Sequence, residues 1–348
     1  MATVVFAPDT FKGTCPSERA AAALARGWRR VRPDDALVEI PQADGGEGTL
    51  AAFRAAVPGA ELRAAIPPAP GRRARTTRPQ VTGPAGEPVA GVWLDLGDGT
   101  ALCELAAVAG LHLMPALDPL GATSRGLGEV MAAAIDAGCE RLVIAIGGSA
   151  STDGGIPVLE ALGARRPPAG GAIVLTDVTA PLLGPRGAAA VFGPQKGASP
   201  EQVVVLERRL EAVAARLGTD PGLPGAGAAG GVGYALAHWG AELVPGAAAV
   251  ARVSGLEAAA READLVVTGE GRFDDQSLTG KVVGHALDSF PRVAVVAGQV
   301  DADPGCRALA LADLSGSVEA AKAEPRRWLE EAGARAAREW GPSLGSGQ

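Results

Sequence analysis

Short, unbroken apolar runs recur along the chain at residues 4–7, 142–146, 265–267 and 293–296, each closed by Gly, Asp or Pro. Strands covered by helices on both faces read this way, so the runs predict strands of a parallel sheet. Between them the spacing turns helical at 17–31, 125–137 and 202–217. Pro16 and Pro200 stand at helix starts, and Gly138 and Gly218 act as stops. Alternation of β and α predicts an α/β fold built on a doubly wound, Rossmann-like parallel sheet.

Two stretches break that rhythm. Residues 63–111 are rich in Pro, Gly and Thr, and their alternating segments at 89–96 and 101–105 are joined by Gly97-Asp-Gly-Thr100, a hairpin signature. Residues 165–224 hold one apolar strand, 172–175, and one long helix. The expected organisation is a discontinuous Rossmann-like domain of 1–62, 117–164 and 225–348. An inserted smaller α/β domain of 63–116 and 165–224 completes it, with the active site in the cleft between them. The small polar tail after Gly341 is expected to fray.

With 348 residues the chain has length for about two domains. Its 39 acidic against 32 basic residues give a net charge of −7, the wrong sign for attraction to a phosphate backbone. Nucleic acid is therefore not an expected partner, whereas an anionic small molecule in a local cleft is compatible with this balance. The four cysteines, Cys15, Cys103, Cys139 and Cys306, have no paired spacing and read as reduced, cytosolic thiols. No basic n-region opens the chain. The longest apolar stretch, 105–117, contains His112 and Pro115 and is too short for a membrane span. A cytoplasmic protein without membrane contact is expected.

In an open parallel sheet, ligands bind beyond the carboxyl ends of the strands. Those ends are polar here. Asp9 and Lys12 follow the first run, and Ala43-Asp-Gly-Gly-Glu-Gly48 follows residues 38–40. Gly147-Gly-Ser-Ala-Ser-Thr-Asp-Gly-Gly155 follows 142–146, and Thr268-Gly-Glu-Gly-Arg-Phe-Asp-Asp-Gln-Ser277 follows 265–267. Glycines let amides approach phosphates, carboxylates hold Mg²⁺, and Lys or Arg offsets phosphoryl charge. Turn-forming Gly and helix-capping Asp are the competing structural explanation for any one loop. No Walker-type phosphate loop occurs, since Asp275 stands where its first glycine would be and Val282 follows Lys281. Gly225-Ala-Gly-Ala-Ala-Gly230 fits a dinucleotide pattern literally but follows Pro-rich coil, and reads as the start of a helix over 232–239. There is no Gly-x-Ser-x-Gly elbow, and His112, His238 and His285 lack metal-ligand spacing.

These segments, with Ala7-Pro-Asp-Thr-Phe-Lys-Gly13, Thr123-Ser-Arg-Gly126, Phe192-Gly-Pro-Gln-Lys-Gly197 and Pro224-Gly-Ala-Gly-Ala-Ala-Gly-Gly231, occur in an order that resembles the bacterial glycerate kinase family, type 1, over nearly the whole chain. The resemblance implies ATP-dependent, Mg²⁺-assisted phosphorylation of D-glycerate at its 2-hydroxyl, giving 2-phosphoglycerate. Two departures stand out: 163–177 is shorter than usual, and Asp177-Val-Thr-Ala-Pro-Leu182 carries Ala180 where the family pattern has Asn. A kinase of another small hydroxy acid, or a non-catalytic binding relative, are the alternatives.

Asp44 is expected to orient the reacting hydroxyl as base, with Asp274 or Glu270 holding Mg²⁺ and Lys12, Arg272 and Asp274 completing the catalytic set. Asp9, Lys12, Glu47, Arg125, Lys196 and Arg272 are expected around the substrate, Arg272 as a two-pronged grip on an oxyanion. Gly147, Gly148, Ser149, Gly269, Glu270 and Lys281 are expected around the nucleotide. Asp153 is read as a helix cap as much as a ligand.

Overall fold

The computed structural model describes residues 1–65, 80–278 and 281–340. Their contacts divide the chain into two compact units, one of 1–44, 51–58 and 247–348 and another of 45–50 and 59–246. The predicted fraying of the tail after Gly341 concerns residues outside the described set.

The first unit holds an entirely parallel five-stranded sheet, in the order Arg307–Ala310, Val293–Ala297, Leu265–Gly269, Thr3–Pro8, Ala36–Glu39. Numbered along the chain, the strands lie 2-1-3-4-5, the flavodoxin-like doubly wound order, whose direction reverses between Thr3–Pro8 and Leu265–Gly269. Successive side chains on a strand point to opposite faces, and both faces here are apolar. Val4, Phe6, Val267 and Val296 pack with Leu24 and Trp28 of Ser17–Val31 and Leu329 and Ala336 of Pro325–Glu339. On the other face Val5, Ala7 and Val266 pack with Ala251, Leu256 and Ala260, while Val295 and Ala297 meet Phe273 and Val283. The double cover explains why these strands carry no polar alternation in sequence.

The second unit is built on a six-stranded mixed sheet. Glu242–Val244, Ala172–Leu175, Arg141–Ala145 and Thr100–Glu104 run parallel, and Val92–Asp95 and Glu61–Ala64 extend the sheet antiparallel. The predicted hairpin is there, Val92–Asp95 paired with Thr100–Glu104 across the Gly97–Gly99 turn, though Gly91 separates Val92–Asp95 from the short Pro88–Ala90 strand.

The observed division differs from the expected boundaries. Residues 117–164 and 225–246 belong with the second unit, because Arg141–Ala145 hydrogen-bonds to Thr100–Glu104 and Ala172–Leu175 rather than to the first sheet. The inserted part is consequently the longer of the two. No helix among the described residues is long and apolar enough to cross a membrane.

Candidate active site

Two strand ends meet where the first sheet reverses direction. Just past Thr3–Pro8, the Asp9 N–H donates to the Gly269 carbonyl at 2.8 Å. The Thr268 hydroxyl, one residue earlier, donates to the Ala7 carbonyl at 3.0 Å. A cavity of about 330 Å³ opens here, lined by the carboxylates of Asp9, Asp44 and Glu270 and the cations Lys12, Arg272, Lys281 and Lys322. It lies where an open parallel sheet binds its ligands.

Asp9 is buried, and its carboxyl is pushed up to about 8 by that burial, then by the charge of Asp44 and, more weakly, Glu270; the Thr10 N–H at 2.7 Å and Lys12 oppose the rise. Burial also raises Glu270, with Asp274 adding to it, against a hydrogen bond from Ser277 and the charges of Lys281 and Lys12. Its Oε1 is buried without a hydrogen-bond partner. Burial and the neighbouring carboxylates thus favour the protonated form of Asp9 and Glu270, and an incoming cation would relieve that repulsion. Among the described residues, no three His, Cys, Asp or Glu side chains are grouped to enclose a metal ion.

Asp9, Lys12, Asp44, Glu270, Arg272 and Lys281 thus share one cavity. Arg272 is steadied by Asp301, its Nε donating to Oδ2 at 2.6 Å. Asp274 is absent from the lining. Its Oδ1 accepts from the Gln276 N–H at 3.0 Å and its own N–H donates to the Ser277 hydroxyl, so it shapes the turn that follows Arg272. Gly269 has a packing reason, since a Cβ there would lie 1.8 Å from the Val296 carbonyl oxygen. Sequence reasoning missed Asp301, Gln299 and the wall of Leu311, Val318, Ala321, Lys322 and Pro325; the latter belong to amphipathic helices indistinguishable locally from any surface helix.

The other expected residues lie in the second unit. Glu47 is exposed, 3.8 Å from His112, and Arg125 is exposed and bonded at 3.0 Å to Glu129 one helical turn on. The Gly147 N–H donates to the Gly45 carbonyl at 2.9 Å and a Cβ there would meet Gly46, so that amide is spent inside the fold. The Gly148 carbonyl accepts from Leu111. Lys196 is 3% exposed, and its Nζ donates to the Ser149 hydroxyl at 2.8 Å and the Ser151 carbonyl at 2.5 Å. Burial lowers it to about 8, against the pull of Asp153. Asp153 accepts from Gly155 at the head of the following helix and from the Ser124 N–H and hydroxyl.

Ala180 contributes its carbonyl to the Gly227 N–H, a bond any residue can make. In the glycine-rich 225–230 segment, a Cβ on Gly230 would fall 2.2 Å from the Ser151 carbonyl oxygen, so it packs against the 147–155 loop. The buried Glu104 was also missed; it ends Thr100–Glu104 and accepts from the Gly48 and Leu50 N–H groups at 3.1 and 2.7 Å, anchoring the 43–49 motif.

Fold and cavity together describe a doubly wound α/β protein with a cavity lined by carboxylates and cations at its switch point. Residues 4–173 and 165–341 match the family described as glycerate kinase. The chain is 40% identical to the glycerate 2-kinase of Escherichia coli, covering 87% of this chain and 86% of that one, and 39% identical to the glycerate kinase of Bacillus subtilis, covering 86% of each. A crystal structure titled putative glycerate kinase 2 from Salmonella typhimurium superposes with a TM-score of 0.78 at 33% identity, over 97% of both chains. The chain belongs to the glycerate kinase family, and it is an enzyme of the kinase class.

Proposed function

We propose that the protein transfers the γ-phosphoryl group of ATP, with Mg²⁺, to the 2-hydroxyl of D-glycerate, releasing 2-phosphoglycerate and ADP. The observation that carries this reading is the switch-point cavity, where three carboxylates meet four cations in a chain of this family. In the proposed mechanism Asp44 orients the acceptor hydroxyl and takes its proton, with Asp9 beside it. Lys12 and Arg272 hold the acid's carboxylate and the transferred group, Arg272 pre-set by Asp301. The orphaned Oε1 of Glu270 fits a cation, so Glu270 would hold Mg²⁺, with Asp274 the second candidate. The metal, when bound, would offset charge on the phosphoryl oxygens. Lys281 adds positive charge to the same cavity.

The test is an ADP-release assay with ATP, Mg²⁺ and D-glycerate, separating 2- from 3-phosphoglycerate by phosphorus NMR. Turnover to 2-phosphoglycerate is expected. Turnover only on another hydroxy acid, or nucleotide binding without turnover, would overturn the reading.

A further inference from the structure

The cavity of the first unit follows the carboxyl edge of the whole five-stranded sheet. In strand order, Asp44 comes after Ala36–Glu39, Asp9 after Thr3–Pro8, Glu270 after Leu265–Gly269, Gly298 and Gln299 after Val293–Ala297, and Leu311 after Arg307–Ala310. At about 4.8 Å between neighbours, five strands spread these residues over roughly 19 Å. A three-carbon acid, with bonds of about 1.5 Å, covers only about one such spacing. The rest of the edge leaves room for a longer ligand.

The chemistry changes along that edge. The three carboxylates sit at the ends of the second, first and third strands. At the Arg307–Ala310 edge the lining becomes Leu311, Val318, Ala321 and Pro325, from Leu311–Ser315, Val318–Ala323 and the start of Pro325–Glu339. The charge these helices bring to the lining is Lys322. Leu311 and Ala321 also belong to the core that holds Trp28 and Leu329, so the wall is anchored.

We propose that this apolar end holds the base and sugar of the nucleoside triphosphate donor, whose phosphates run back along the sheet edge past Arg272 and Lys12 to the carboxylates. The inference rests on the kinase reading above and locates the nucleotide within it, on residues of the first unit. Apolar side chains without donors or acceptors favour the flat base through burial, while the polar end receives the charge.

The test pairs calorimetric binding of ADP, with no acceptor present, with KM values for ATP and D-glycerate. Val318, half-exposed on the cavity, is changed to Trp to fill the apolar end and to Ala to widen it. Val318→Trp is expected to weaken ADP and raise the KM for ATP by about tenfold or more, worth about 1.4 kcal/mol. The KM for D-glycerate should stay within about twofold. Val318→Ala, which keeps the fold if Trp does not, is expected to weaken ADP by a few-fold. Unchanged ADP binding in folded variants overturns the proposal, as does a rise confined to the KM for D-glycerate. A wild-type protein that binds ADP in this Val318-dependent way but does not phosphorylate D-glycerate sinks the substrate reading and leaves the nucleotide site standing.

Discussion

The carboxyl edge of the first sheet and the 147–155 loop of the second unit are written in similar residue types, glycines with carboxylates and hydroxyls, the loop borrowing its cation from Lys196, yet they spend them differently. Around the loop the charged side chains are paired inside the fold, Asp153 on Ser124 and Gly155 and Lys196 on Ser149 and Ser151, and the Gly147 N–H is held by Gly45. The buried hydroxyls of Ser151 and Thr152 have no partner. Along the sheet edge, Asp9 and Glu270 are buried beside other carboxylates, and Glu270 keeps an oxygen unpaired. A buried polar group without a partner is costly, and the edge leaves a carboxylate oxygen unmet where the loop has paired its carboxylate and the lysine beside it.

The largest effect expected of that contrast is on turnover. Asp44→Asn keeps shape and loses the proton acceptor, and kcat is expected to fall by about 10²–10⁴. Lys12→Ala should cost nearly as much, because it removes a cation from the phosphoryl path. Steady-state assays of both variants, with circular dichroism to show an intact fold, check this; near-normal kcat in either would move the chemistry elsewhere.

The next effect is on stability against pH. Asp9 keeps its proton up to about 8 in the folded protein but ionises near 3.8 when unfolded. Between those values the folded state binds more protons, so stability falls as pH rises through the window and levels off above it. Asp9→Asn stays neutral throughout and is expected to gain on the wild type across that same range. Thermal melts over the series would show a widening gap; a constant one would mean Asp9 is ionised in the fold.

Lys196 supplies the opposite slope. Its folded value near 8 lies below the ordinary 10.5, so the unfolded state binds more protons between the two and stability rises with pH there. Lys196→Ala leaves the Ser149 and Ser151 partners and Asp153 uncompensated, for a loss of about 1.5–3 kcal/mol. Urea titration is expected to show that deficit growing above pH 8.

How much of this was readable beforehand depends on whether the cause is local. Helix Ser17–Val31 and strand Ala172–Leu175 match the predicted limits because Pro16, flanking glycines and apolar spacing are local signals. The hairpin was legible for the same reason, its turn chemistry lying in four consecutive residues. Arg141–Ala145 was recognised as a strand but assigned to the wrong sheet. Nothing in five apolar residues says which parallel neighbours they will meet, since those pairings span dozens of residues. The acids of the cavity and three of its cations, Lys12, Arg272 and Lys281, were found because they fall in the segments that follow strands, whereas Lys322, on a helix, was not. The apolar wall was not, because a residue such as Val318 differs from ordinary helix surface only through what lies across from it.

Arg125 brings the comparison to its smallest effect. Residue type and motif made it a candidate ligand, but its guanidinium is exposed and already bonded to Glu129 at i+4. Such pairs are worth about 0.3–0.5 kcal/mol and are screened by salt. Arg125→Ala is therefore expected to cost no more than that in a urea melt, with the deficit disappearing in high salt and the KM for D-glycerate unchanged. Its neighbour Ser124 should matter more, because its N–H and hydroxyl both hold Asp153. If instead Arg125→Ala raised the KM for D-glycerate several-fold, the 123–126 motif would have to be counted with the sheet edge, as residues kept for a ligand rather than for the fold.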